Sequence, residues 1–185
     1  MLGRTMAALA VLALAGCTAA AADESDPAAQ ALLDKMAITD LLSRYYSNFS
    51  NAGSENFMSY YTDDGVFDVN GHVAHGKKEI EGIYKGLATT GESPATRGTF
   101  HMLMTNPVID VNGDTATARL LWTGVLNTKV DAPPQFVEQG REYDRFVRKD
   151  GKWLLQKRVV IADSGLPDQF KDTYTPRKDY DITKD

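Results

Sequence analysis

The chain has 185 residues, 20 of them Lys or Arg and 25 Asp or Glu, for a formal net charge of −5. That length holds one domain plus extensions, and an apolar share of 43% suits a soluble globular core. No basic stripe interrupts the mildly acidic balance, which argues against a nucleic-acid partner.

The first segment reads as an address rather than a fold element. Arg4 supplies a positive start, and Met6 to Ala15 form an apolar run too short to span a bilayer as a mature helix. Leu14-Ala15-Gly16-Cys17 resembles a bacterial lipobox. That resemblance implies removal of residues 1–16 as a signal peptide and attachment of a lipid to Cys17. Cys17 is the only cysteine, so no disulfide forms within the chain. Thr18, with no Asp after the Cys, resembles the pattern sent to the outer membrane. The expected location is therefore the cell envelope, anchored in the membrane by lipid and facing the periplasm. Cleavage after the alanines at 19–22 would instead release a soluble periplasmic protein. Residues 17–28 read as a flexible tether.

A folded domain is expected over 29–163. Ile38, Leu41, Leu42, Tyr45 and Phe49 recur at helical spacing, which predicts a helix from about 29 to 49, stopped by Asn51-Ala52-Gly53. A short second helix is expected over 54–61. Asn70-Gly71 reads as a two-residue hairpin turn between short strands, and 77–87 as a third helix. After Arg97 the period changes to two. Four long antiparallel strands follow, turned at Asn112-Gly113 and Asp150-Gly151, with Pro133 and Pro134 keeping 128–135 a loop. Residues 164–185 read as a polar C-terminal tail. Helices packed on one face of a curved antiparallel sheet make the class α+β.

The chemistry-bearing residues are few. His101 is the histidine inside a predicted strand. His72 and His75 flank a turn and a helix start and read as surface residues; no third ligand is placed beside them, so no metal is expected. No Gly-rich phosphate loop appears, Ser164-Gly165 has no base assigned to it, and the thiol belongs to the signal. Proton transfer without a cofactor is the chemistry left. The aromatic set Phe57, Tyr61, Phe67, Trp122, Phe146 and Trp153 is mostly core, with a subset lining a pocket.

"ITDLLSRYYSNFSNAG", "YYTDDGVFDVNG", "HGKKEIEGIY", "FHMLMTNPVIDVNGDTATA" and "YDRFVRKDGKWLLQKRVV" occur in this order over about residues 34–162. Together they resemble the SnoaL-like branch of the nuclear transport factor 2-like superfamily. The resemblance implies a cone-shaped barrel, in which a curved antiparallel sheet wraps a long N-terminal helix and two shorter ones. An apolar pocket opens at one end. Relatives include polyketide cyclases, scytalone dehydratase and ketosteroid isomerase, which act on small apolar, aromatic or polyketide-like substrates without a cofactor. Other members only bind, and relatives often form a homodimer through the open sheet. Fold alone does not settle function.

Carried over by position, His101 falls on the family's strand histidine, the general base. Its partner Asp falls on Ser50, which carries no charge. Asp40 cannot substitute, since ten residues of helix at about 1.5 Å each place it roughly 15 Å away. Tyr45 falls on the oxyanion-binding tyrosine of ketosteroid isomerase, and Asp144 on its protonated aspartate. The base of that enzyme falls at Val69, with Asp68 one step along the strand and so facing the other way unless a bulge intervenes. Each residue also has a purely structural reading: Tyr45 in the core, Asp144 paired with Arg145 or Arg158, His101 packed into the sheet. The resemblance implies substrate contacts from Ser50, Phe49, Tyr61, Phe67, Trp122 and Trp153. The expected activity is that of a cofactor-independent lyase or isomerase, with His101 as base and Tyr45 and Asp144 stabilising or protonating the oxygen on which charge develops. The alternative is a non-catalytic periplasmic ligand-binding lipoprotein that uses the same pocket.

Overall fold

The computed structural model describes residues 26–49, 52, 54–89, 97–176 and 179–184, so the signal segment, Cys17 and Ser50 lie outside the described residues. Helix α1 spans Pro27–Ser47. It starts two residues earlier than its apolar pattern suggests. Asp26 caps it by accepting from the Ala28 N–H at 3.0 Å, and Pro27 occupies the first turn, where it has no hydrogen bond to lose. Ile38, Leu42, Tyr45 and Tyr46 form its buried stripe. The second helix expected over 54–61 shrinks to one 3-10 turn, Phe57–Tyr60, because Tyr61 already pairs with Leu155 as the first residue of a strand. Helix α2 runs over Gly76–Thr89.

Six strands follow the order β2-β1-β6-β5-β4-β3: β1 Tyr61–Val69, β2 His72–His75, β3 Thr99–Asn112, β4 Thr115–Asn127, β5 Gln135–Lys149 and β6 Lys152–Ser164. The four long strands form the antiparallel meander that the sequence predicts. The short hairpin joins it differently, since β1 runs parallel to β6. Local pattern holds no information on that pairing, which links residues far apart in the chain. Asn70 (φ 55°) and Gly71 (φ 85°) make the β1–β2 turn, as Asn-Gly favours. Pro107 sits within β3, at the sheet edge, beside a register shift between Thr105 and Val108. An edge strand with a bulge there accommodates a residue that donates no hydrogen bond.

Along β4, Ala116, Ala118, Leu120 and Trp122 point inward, and the main core joins them to Ile38 and Leu42 of α1 and to Ile80 and Tyr84 of α2. Both helices lie on the inner face of the curved sheet, the cone expected for this α+β pattern. The C-terminal segment corrects the sequence reading. It is not a solvated polar tail: Phe170 joins the main core, and Ile182 covers Tyr143, Val159 and Ile161 on the outer face. Those three apolar residues face away from the helices and would otherwise meet water. Tyr143 Oη donates to Asp179 at 2.9 Å and Tyr174 Oη to the Ala162 carbonyl at 3.0 Å, which fastens the segment down.

Candidate functional site

A cavity of about 450 Å³ opens between the C-terminal end of α1, α2, the inner face of the sheet and the chain after β6. Phe49, Phe67, Phe100, Met102, Trp122 and Leu166 supply apolar wall. Polar groups enter it at a few points: Tyr45, Tyr46, Tyr84 and Asn70, the carboxyls of Glu138 and Glu142, and Arg97 and Asp168. A mostly apolar cavity of this size with a few convergent polar groups is the usual form of a small-molecule site.

Alternation along β5 builds its polar end. Glu142 and Asp144 are two apart and share the inner face, both buried, with Phe146 beyond them. Arg158, on β6, is buried with them. Its Nε and Nη2 donate to Asp144 Oδ1 and Oδ2 at 2.8 and 3.0 Å, a two-pronged pair. Nη2 also lies 2.9 Å from Glu142 Oε1, although not in hydrogen-bond alignment, and Tyr46 Oη donates to Glu142 Oε2. The guanidinium carbon sits 3.9 Å from the centroid of the Tyr45 ring. Two carboxyls thus share one guanidinium. Burial raises Glu142 well above the ordinary carboxylate range; the Arg158 charge opposes this, and the charge of Asp144 and a hydrogen bond to it add to the rise. Burial alone would lower Arg158, but the Asp144 and Glu142 charges outweigh it and hold the guanidinium ionised. Burial likewise pushes Tyr46 up, with the Glu142 charge next.

Above this end, three hydroxyls meet. Tyr45 Oη hydrogen-bonds Tyr84 Oη, and Tyr61 Oη lies 3.2 Å from the first and 3.3 Å from the second. Nearer the mouth, burial raises Glu138 to about 7, opposed by the Arg97 charge. Asn70 has a structural task, since its Oδ1 accepts from the Ala162 N–H at 2.8 Å.

The residues expected from the sequence divide clearly. Tyr45, Phe49, Phe67 and Trp122 line the cavity. Tyr61 stands behind it, buried, through its hydroxyl contacts. His101 does not reach it: Phe100 and Met102 line the wall, and His101 between them is exposed on the opposite face of β3. Strand alternation therefore removes His101 from the base role. Asp144 is the Arg158 partner and lies outside the lining; the carboxyl that the strand presents to the cavity is Glu142. Trp153 is elsewhere, donating through Nε1 to Asp34 at 3.1 Å, with Arg148 Nη1 2.7 Å from the same oxygen. That cluster ties α1 to the β5–β6 hairpin. Val69 lines the cavity while Asp68 accepts from the Gly71 N–H at 2.9 Å, so the neighbouring carboxylate serves the turn. His72 and His75 are exposed at the ends of β2. Among the described residues no three His, Cys, Asp or Glu side chains gather as a metal site. The sequence reading missed Tyr46, Tyr84, Glu138 and Glu142. The signal for the two glutamates is strand alternation, since 138 and 142 share the even-numbered face of β5 with Asp144.

Residues 30–159 match the family model described as a SnoaL-like domain. Three solved structures share the fold. An NTF2-like protein with a cystatin-like fold from Novosphingobium aromaticivorans is 22% identical, with 75% of this chain and 88% of that one covered and a TM-score of 0.63. A protein of unknown function with a cystatin-like fold from Nostoc punctiforme is 26% identical, with 73% and 95% covered and a TM-score of 0.61. A proposed scytalone dehydratase from Novosphingobium aromaticivorans is 18% identical, with 71% and 85% covered and a TM-score of 0.58. No curated protein matches the chain.

Proposed function

The chain belongs to the SnoaL-like family, and on that premise we propose that it is a cofactor-independent lyase or isomerase, moving a proton on a small apolar, oxygen-bearing substrate held in the cavity. The observation that carries this reading is the Glu142 carboxyl at the buried end of an apolar cavity. Burial raises the proton affinity of Glu142 and so favours its uncharged form, and in this reading that form does the work. Its Oε2 accepts from Tyr46, while Oε1 is buried without a hydrogen-bond partner, 2.9 Å from Arg158 Nη2. A carboxylic acid kept neutral in this way donates a hydrogen bond to an enolate oxygen as charge develops there. Arg158, fixed by Asp144, adds a positive charge behind it. The Tyr45, Tyr61 and Tyr84 hydroxyls form a second donor group.

A bicyclic β-hydroxyketone tests the reading. 3-Hydroxy-1-tetralone loses water to give 1-naphthol, whose absorbance reports turnover. The wild type should catalyse this loss, and Glu142→Met, which keeps an unbranched side chain but has no donor, should lower kcat/KM by about 100-fold, the effect of removing one preorganised donor. Binding of the ketone with no turnover would favour the second reading, a ligand-binding protein that uses the same cavity. Attachment to the envelope through lipid on Cys17 is part of the proposal and is argued from the lipobox alone.

A further inference from the structure

Glu138 has no place in the polar end around Arg158, yet the strands around it are built to accommodate it. It faces Gly124 across the β4–β5 ladder. A Cβ on Gly124 would lie 2.5 Å from Glu138 Cγ, 2.8 Å from its Oε1 and 2.8 Å from Phe100 Cζ. The glutamate side chain therefore lies across the bare backbone of β4 and projects over the cavity. From the other side Gly165 (φ 70°) closes on it, where a Cβ would meet Glu138 Cα and Cβ at 2.7 Å. Any residue but glycine at 124 would force the carboxyl elsewhere. Opposite Trp122, Gly140 does the same service for the indole, so Glu138 and Trp122 each lie on a glycine of the neighbouring strand.

We infer that Glu138 is the base of the site, and that it removes the proton from the carbon next to the carbonyl of a small, neutral aromatic ketone. This inference rests on the proton-transfer reading of the cavity and names the group that reading leaves open. The ketone follows from the walls. Phe100, Met102, Trp122 and Leu166 offer rings and aliphatic surface to an apolar body. A second negative charge would be repelled by a carboxylate at the mouth, so the substrate is uncharged. In the step itself, the C–H bond breaks and its proton passes to Glu138. The electron pair becomes the enolate, whose oxygen takes a hydrogen bond from the neutral acid Glu142. Where a β-hydroxyl is present, the enolate expels it and the Glu138 proton leaves with it as water, which restores the carboxylate. Otherwise the proton returns to carbon and the product is an isomer.

The charged and titratable groups that line the same cavity as Glu138 are Arg97 ahead of β3, Asp168 after β6, Glu142 on its own strand, and the tyrosines Tyr45 and Tyr46 of α1 and Tyr84 of α2. Arg97 favours the carboxylate and burial disfavours it, with the balance near neutrality, where a base both accepts a proton readily and remains largely unprotonated. The rate should therefore rise with pH through the region of 7 and level off above it.

1-Tetralone, which has the acidic C–H but no leaving group, isolates this step. Its α-deuteration in D₂O is followed by NMR, and its binding by shifts of the Met102 methyl and Trp122 indole signals. The wild type should bind it and accelerate exchange; Glu138→Gln should still bind it but lose about 100-fold or more of the acceleration. Gly124→Ala, which keeps the carboxyl but crowds it, should also lose exchange. Equal exchange in wild type and Glu138→Gln would overturn the role of Glu138 and leave the lyase or isomerase reading standing. Binding without exchange in the wild type, or no binding, would overturn both.

Discussion

At the scale of single residues, two charges decide what the inner face of β5 is. Arg158 is buried and holds Asp144 in a two-pronged pair while reaching Glu142. Removing one member of a buried pair leaves the others uncompensated, at a cost of about 3–5 kcal/mol. Arg158→Met should lower the urea midpoint accordingly, whereas a loss under about 1 kcal/mol would mean the guanidinium contributes little. The two-residue spacing between Glu142 and Asp144 was legible in the sequence, and so was the Asp144 partnership with Arg158 as one of two arginines considered. The sequence could not show which carboxyl would face the cavity. That depends on where Arg158 enters the sheet, and on Tyr46, which lies beside Tyr45 in the helix and was passed over for it. His101 shows the opposite failure. The residue type suggested a base, but its immediate neighbours Phe100 and Met102 are the apolar ones, and a strand cannot turn three successive side chains the same way.

At the scale of elements, the long strands and their turns follow period and Asn-Gly or Asp-Gly chemistry, which is why the meander was legible. Helix α1 was legible in its apolar stripe and misplaced at its ends, where the cap at Asp26 decides. Two features come from tertiary contact and left no local trace: the parallel β1–β6 pairing and the burial of Phe170 and Ile182. The glycines of β4 and β5 clear the inner face. A Cβ on Gly140 would lie 2.3 Å from the Ile161 carbonyl oxygen and 2.5 Å from the Trp122 ring. The backbone atom cannot move aside cheaply, so Gly140→Ala should destabilise the fold by about 1–3 kcal/mol, measured by denaturant unfolding. It should also displace Trp122, seen as a change in indole fluorescence. Unaltered stability and fluorescence would mean that the ladder relaxes around the methyl group.

At the scale of the molecule, the described residues form one cone whose narrow interior is filled and whose wide end stays open, with a C-terminal strap over part of the outer face. No helix among the described residues is long and apolar enough to cross a membrane. On the lipobox proposal, attachment depends on Cys17, and Cys17→Ser should shift the full-length protein from the membrane fraction to the soluble periplasmic one. Wild-type protein that is already soluble, with a mature N-terminus beyond residue 17, would exclude the anchor. The central claim is that chemistry takes place inside the cone, at the carboxyls of β5, and not at the histidine on its outer surface. Turnover of 3-hydroxy-1-tetralone by His101→Ala and Glu142→Met, measured side by side, tests it most directly. The account predicts wild-type kcat/KM for His101→Ala and a fall of about 100-fold for Glu142→Met; a large loss in His101→Ala with Glu142→Met unaffected would contradict it.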